Sequence, residues 1–137
     1  MRDRIELLEL GINEQAAIEA FAAPSVLTRV FERDDTPHAI IAFHQLTPKA
    51  LVVSLMASAE WSSVAPSVWR WAQRTAKPYL LAQGFTRAEC RTMTGHDDAI
   101  HFLERLGFTR ECCVPAYGAS GNSFLQYAWR LENHVPI

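Results

Sequence analysis

The chain predicts an α+β fold in which helices pack on a central, mainly antiparallel mixed sheet. Three observations carry that expectation. The runs "SVLTRVFER" and "HAIIAFHQL" alternate apolar and polar residues, are rich in β-branched side chains, and are joined by the turn chemistry of "DDTP". Residues 63–83 then place apolar side chains at helical spacing, and a second short helix, "HDDAIHFLERL", stops at a glycine before another strand-like run. No repeat, linker or low-complexity segment interrupts residues 1–137, so one layered domain is expected.

In chain order, "IELLEL" (residues 5–10) reads as either a helix or a first strand. Asn13 is a suitable N-cap for a helix over 13–22, which ends before Pro24. The hairpin 25–46 comes next, and "TPK" turns the chain into "ALVVSLMAS" (50–58), whose nearly continuous apolar run suits a central strand covered on both faces. In the long helix, Val64, Val68, Ala72, Thr75, Ala76, Tyr79 and Leu80 form the apolar stripe, while Arg70, Arg74 and Lys77 share a basic flank. Trp69 and Trp71, two apart, cannot both meet the same core. Gly84 ends the helix and "FTRAECRTM" returns as a strand.

The second helix should open on a capping box from Thr94 to Asp97, with Asp97 and Asp98 at its positive end and Arg105 in its last turn. Ala99, Phe102, Leu103 and Leu106 make its buried stripe. "FTRECCVPAY" and "SFLQYAWRL", joined by "GASGN", close the sequence as a strand pair.

Composition narrows the function. A net charge of −2 and a pI near 6.2 give no global attraction to nucleic acid or an anionic membrane. No apolar run approaches the roughly 20 residues that span a bilayer, and "MRDRIELLEL" is unlike a signal peptide, so the expected location is the cytoplasm or a particle assembled there. Cys90, Cys112 and Cys113 are odd in number and lack a C-x-x-C motif, which argues for reduced structural thiols and no metal. Adjacent strand residues point to opposite faces, so at most one of Cys112 and Cys113 meets the core. His38 and His44 lie roughly 20 Å apart on one strand and cannot share an ion.

The element order, with "HDDAIHFLERLGF" before a closing strand pair, resembles the GNAT superfamily of acyl-CoA N-acyltransferases, whose corresponding helix reads N-x-x-A-x-x-F-Y-x-x-x-G-F. Ala99, Phe102, Gly107 and Phe108 match that pattern. "FLERLGF", "YGASG" and "FLQYAWRL" are also similar to the short GNAT-like proteins of tailed phages of the internal virion protein A type.

The resemblance implies acetyl-CoA as cofactor. It implies that the strand carrying Val53, Leu55 and Met56 contacts the pantetheine arm, and that the turn with Ser62, Ser63 and Ser67 faces the pyrophosphate. The family's turn there is a Q/R-x-x-G-x-G/A loop, because bare backbone N–H groups can approach phosphates. This chain has "SAEWSSVAPSVWRW", with no glycine and with Pro66. The family's proton-donating tyrosine falls on Leu103, which cannot donate, and its helix-opening asparagine falls on His96. Glu60, beside Trp61, is the candidate base, since burial against an indole favours the neutral carboxyl that a base must become. Tyr117 is the nearest alternative hydroxyl.

The resemblance leaves two functions open. One is a phage-type GNAT-fold protein, weakly active or non-catalytic, acting in virion assembly or by binding a host protein through partner contacts or self-association. The other is an active acetyl-CoA-dependent N-acetyltransferase for a small amine or a protein amine.

Overall fold

The computed structural model describes residues 24–131. The N-terminal helix expected over 13–22 and the segment 5–10 lie outside them. The described residues form strands β1 (Leu27–Arg33), β2 (Thr36–Gln45), β3 (Ala50–Ala57), β4 (Arg87–Met93), β5 (Thr109–Val114) and β6 (Phe124–Arg130). They also form helices α1 (Ala65–Trp71), α2 (Lys77–Ala82) and α3 (Asp97–Leu106). The six strands are ordered β1-β2-β3-β4-β6-β5. β1–β2, β2–β3 and β5–β6 pair antiparallel and β3–β4 parallel, as a mainly antiparallel mixed sheet requires. The chain groups into two compact units, 25–89 with 129–131, and 90–128.

In the first unit, the β1–β2 hairpin closes on Asp34 and Asp35, both left-handed at φ 53° and 62°. That turn matches the right-handed twist of the strands, and aspartate tolerates it better than most residues. β2 and β3 then run in unbroken register from Ala39↔Ala57 to Gln45↔Leu51. Phe31, Ile41, Phe43, Leu51 and Val53 are buried on one face of this meander. α1 packs there through Trp71, whose ring lies 5.6 Å from Phe31 edge-on and 6.4 Å from Phe43. Phe43 in turn stacks on Trp129 at 6.4 Å.

Between α1 and α2, residues Ala72–Ala76 form a π turn. The extra residue in such a turn rotates the downstream residues by roughly 100° about the helix axis. That rotation corrects the sequence-based faces. Lys77 leaves the flank of Arg70 and Arg74, which stay exposed, and is buried; Tyr79 leaves the stripe and is exposed, as is Thr75. Gln73 is buried as well. The two tryptophans divide as expected, Trp71 buried and Trp69 half-buried.

In the second unit, Phe102, Leu103 and Leu106 of α3 are buried and Ala99 is half-buried. Gly107 caps the helix at φ 103°, a conformation that favours glycine. The capping box does not form. His96 is the N-cap, without a side-chain cap bond, while the Thr94 hydroxyl is 2.9 Å from the Ser123 hydroxyl. A bulge between Arg110 and Cys112 interrupts β5, and Cys112 and Cys113 are both exposed. The Tyr127 hydroxyl donates to Glu104 at 3.2 Å.

Trp71→Ala should cost about 3–5 kcal/mol in urea unfolding, as deletion of a buried aromatic does, and Trp69→Ala clearly less. Burial lowers the pKa of the Lys77 amine from its ordinary 10.5. The folded state therefore disfavours the ammonium, so this group's stabilising contribution is complete above the unfolded pKa and is lost as pH falls through the lowered folded value. The stability difference between wild type and Lys77→Met should accordingly shift in favour of wild type as pH rises from that lowered value towards the ordinary 10.5. Parallel pH profiles of the two proteins would refute the linkage.

Candidate functional site

The parallel register of β3 with β4 runs through Ala50↔Arg87, Leu51↔Ala88 and Val52↔Glu89, and β3 continues to Ala57. Beyond Val52, β3 keeps its antiparallel partner β2 on one side, out to Ala39↔Ala57. Val53 is buried, and Leu55 and Met56 are half-buried on this stretch.

From the end of β3 the chain passes through the turn for which the resemblance implied a pyrophosphate contact. Ser58 N–H continues the ladder by donating to the His38 carbonyl at 2.9 Å. This clamp sets the two side chains together, with His38 Nδ1 2.9 Å from Ser58 Oγ. The same Oγ accepts the Glu60 N–H at 3.2 Å. His38 is half-buried, and Ser58 and Glu60 are exposed. The indole burial expected to make Glu60 a better base is therefore absent: its backbone, rather than its carboxylate, is what the turn holds.

Trp61–Ser63 form a single 3-10 turn that leads into α1. The Val64 N–H donates to the Trp61 carbonyl at 2.9 Å. The first turn of a helix leaves its early N–H groups without intrahelical partners. Here those are the groups of Ala65 and Ser67, since Pro66 has none. Ser62, Ser63 and Ser67 are exposed. Residues 58–67 carry Glu60 and no arginine or lysine. This surface carries hydroxyls, has fewer backbone donors than a glycine loop, and holds a carboxylate that would repel an anion.

The second unit holds Tyr117, which is 42 % exposed, in the turn after β5. Its ring packs on Phe124 at 5.0 Å and lies under Arg91, whose Cζ is 5.4 Å from the centroid. Leu103 is buried and His96 is buried at the start of α3. Among the described residues no cluster of His, Cys, Asp and Glu has metal-site geometry.

The His38–Ser58 pair escaped the sequence reading, though a signal existed. Counting outward from the "TPK" turn in an unbroken antiparallel register sets position 38 opposite 58. Lys77 was misplaced because nothing in "AQRTA" marks a π turn.

No protein-family model and no curated protein matches the sequence. Solved structures do match in fold. Ard1 from Thermoplasma volcanium superposes with a TM-score of 0.70 at 14% identity, over 87% of this chain and 80% of that one. The yncA protein of Salmonella typhimurium, solved with its cofactor acetyl-CoA, gives 0.64 at 14%, over 88% and 72%. The ribosomal-protein-S18-alanine N-acetyltransferase of Escherichia coli gives 0.67 at 11%, over 88% and 78%. The architecture is that of the GNAT acetyltransferases, an α+β fold with a mixed sheet.

Ser58→Ala removes both the His38 contact and the Glu60 N–H acceptor, and should cost about 1 kcal/mol in urea unfolding. Ser62→Ala, two residues past Glu60, should change stability by less than about 0.5 kcal/mol.

Proposed function

We propose that the chain binds an acyl-CoA along β3 and transfers the acyl group to an amine slowly, or holds the ligand without transferring it. The observation that carries this reading is the course of the chain in a GNAT-like fold, where Val53, Leu55 and Met56 of β3 lead directly into the serine-bearing turn before α1. The fold likeness to yncA, solved with acetyl-CoA, supports it.

In this reading Val53, Leu55 and Met56 line the pantetheine arm, and the hydroxyls of Ser62, Ser63 and Ser67 meet the pyrophosphate. The bound coenzyme supplies an activated thioester. Glu60 takes the proton of the attacking amine, directly or through a water, and an exposed carboxylate does this only weakly near neutral pH. Tyr117 is the hydroxyl considered for the leaving thiolate; Leu103 has no proton to give.

A second reading is favoured by the glycine-free turn, Pro66 and Leu103 together. The fold then serves as a scaffold, and the chain acts by binding: a phage-type protein used in virion assembly or in holding a host protein. Both readings leave nucleic acid aside.

Titrating acetyl-CoA and coenzyme A while following the melting temperature separates them. Ligand at about 100 times its Kd stabilises the folded state by roughly 2.7 kcal/mol. A saturating rise that Ser67→Glu abolishes supports the acyl-CoA reading and leads to an amine-acceptor screen. No rise at millimolar ligand sinks it and leaves the binding protein.

A further inference from the structure

Ser58 follows the last residue of β3, and the antiparallel register that pairs Ala39 with Ala57 sets it opposite His38. Residues so paired extend their side chains to one face about 5 Å apart, which lets a short hydroxyl meet a ring nitrogen. Ala39, beside His38, is buried in the core, so strand alternation turns the imidazole to the opposite face. There the ring is half-buried, and Ser58 is exposed. The hydroxyl is thus open to solvent and backed by a partly shielded imidazole.

Three hydrogen bonds fix the pair. The Ser58 N–H donates to the His38 carbonyl at 2.9 Å. The Glu60 N–H donates to Ser58 Oγ at 3.2 Å. His38 Nδ1 lies 2.9 Å from the same Oγ. A hydroxyl has one proton and two lone pairs. The Glu60 N–H occupies one lone pair; when neutral imidazole accepts at Nδ1, the proton lies on the line to the ring, and the second lone pair stays open to an electrophile. Main-chain groups do this positioning, so little side-chain freedom is left to lose when a reagent arrives. Serine is a weak nucleophile until a base stands within hydrogen-bond reach, and histidine is the side chain that titrates nearest neutrality.

We infer that Ser58 is a nucleophile with His38 as its general base, and that its substrates are acyl thioesters. The Ser58 oxygen attacks the thioester carbonyl as its proton passes to His38 Nδ1. The C–O bond forms, the C–S bond breaks, and the imidazolium gives the proton to the departing thiolate. The products are a serine ester and a free thiol. The inference stands on the cross-strand pair alone, and needs neither a bound coenzyme nor the Glu60 carboxylate.

The test is covalent labelling of the native protein at about pH 7.5, where histidine side chains are mostly neutral, mapped by peptide mass spectrometry. Two probes are used: S-acetyl-N-acetylcysteamine, a small thioester, and an alkyl fluorophosphonate, whose serine adduct resists hydrolysis. Ser62, Ser63 and Ser67, exposed on the turn that follows, are the internal comparison. The expected result is an adduct on Ser58 at least about tenfold faster than on any of those three, as general-base assistance gives. The ratio should fall to about one in concentrated guanidinium chloride, where the pair is lost. His38→Gln should slow the Ser58 label by about tenfold or more, and Ser58→Ala should abolish it. Equal labelling of the four serines in the native protein, a rate in His38→Gln matching wild type, or an adduct on His38 in place of Ser58 overturns the inference.

Discussion

The packing of Trp71 against Phe31 and Phe43 ties the long helical segment to the β1–β2–β3 meander. Flat rings in edge and tilted contact fix both the distance and the roll of α1, because aromatic pairs lose energy when either changes. Once α1 is rolled so that Trp71 faces the sheet, Val64 and Val68 also face it, and the turn 58–64 must run from the end of β3 to the start of the helix. The position of the serines therefore depends on a tryptophan that never touches them. At the far end of the same helix, the π turn resets the roll and delivers Lys77 to Trp129, which itself stacks on Phe43. One aromatic cluster thus holds both ends of the segment.

Most strands were legible because their signals are local. Asp34 and Asp35 announced the hairpin, and the alternation in "VFERDDTPHAIIAF" set its faces. Gly107 marked the end of α3, and its buried stripe could be read from spacing. The features that escaped are decided by competition between neighbours. Thr94 had the right spacing for a cap, but Ser123 offered its hydroxyl a partner across a loop, and sequence spacing cannot weigh that. Lys77 and Tyr79 exchanged places because a π turn changes helical phase without a residue signature. Glu60 was assigned an indole environment from adjacency to Trp61, and adjacency along a turn does not bury a carboxylate.

The candidate site joins a core-held strand to a turn that lacks the glycines of a phosphate loop. Strand β3 is backbone geometry held by the core and survives side-chain change; the turn 58–67 depends on particular residues and lacks a backbone donor at Pro66. A fold can keep its ligand groove after its chemistry has weakened, since sheet geometry is maintained by the core and proton transfer by single side chains. The GNAT architecture of this chain at 14% identity to yncA illustrates how little of that geometry depends on shared sequence.

The left-handed Asp34–Asp35 turn also bears on how the chain folds. It joins two strands that are adjacent in sequence, and the next antiparallel pair, β2–β3, is almost as local. The parallel β3–β4 contact instead waits for the whole intervening helical segment, and closing that longer loop costs more chain entropy. The meander should therefore assemble ahead of the crossover, with higher φ-values across β1–β2 than at Ala50↔Arg87 as the kinetic sign. The β4 side of β3 would then be a late feature of the folding reaction, defined only when the crossover strand arrives.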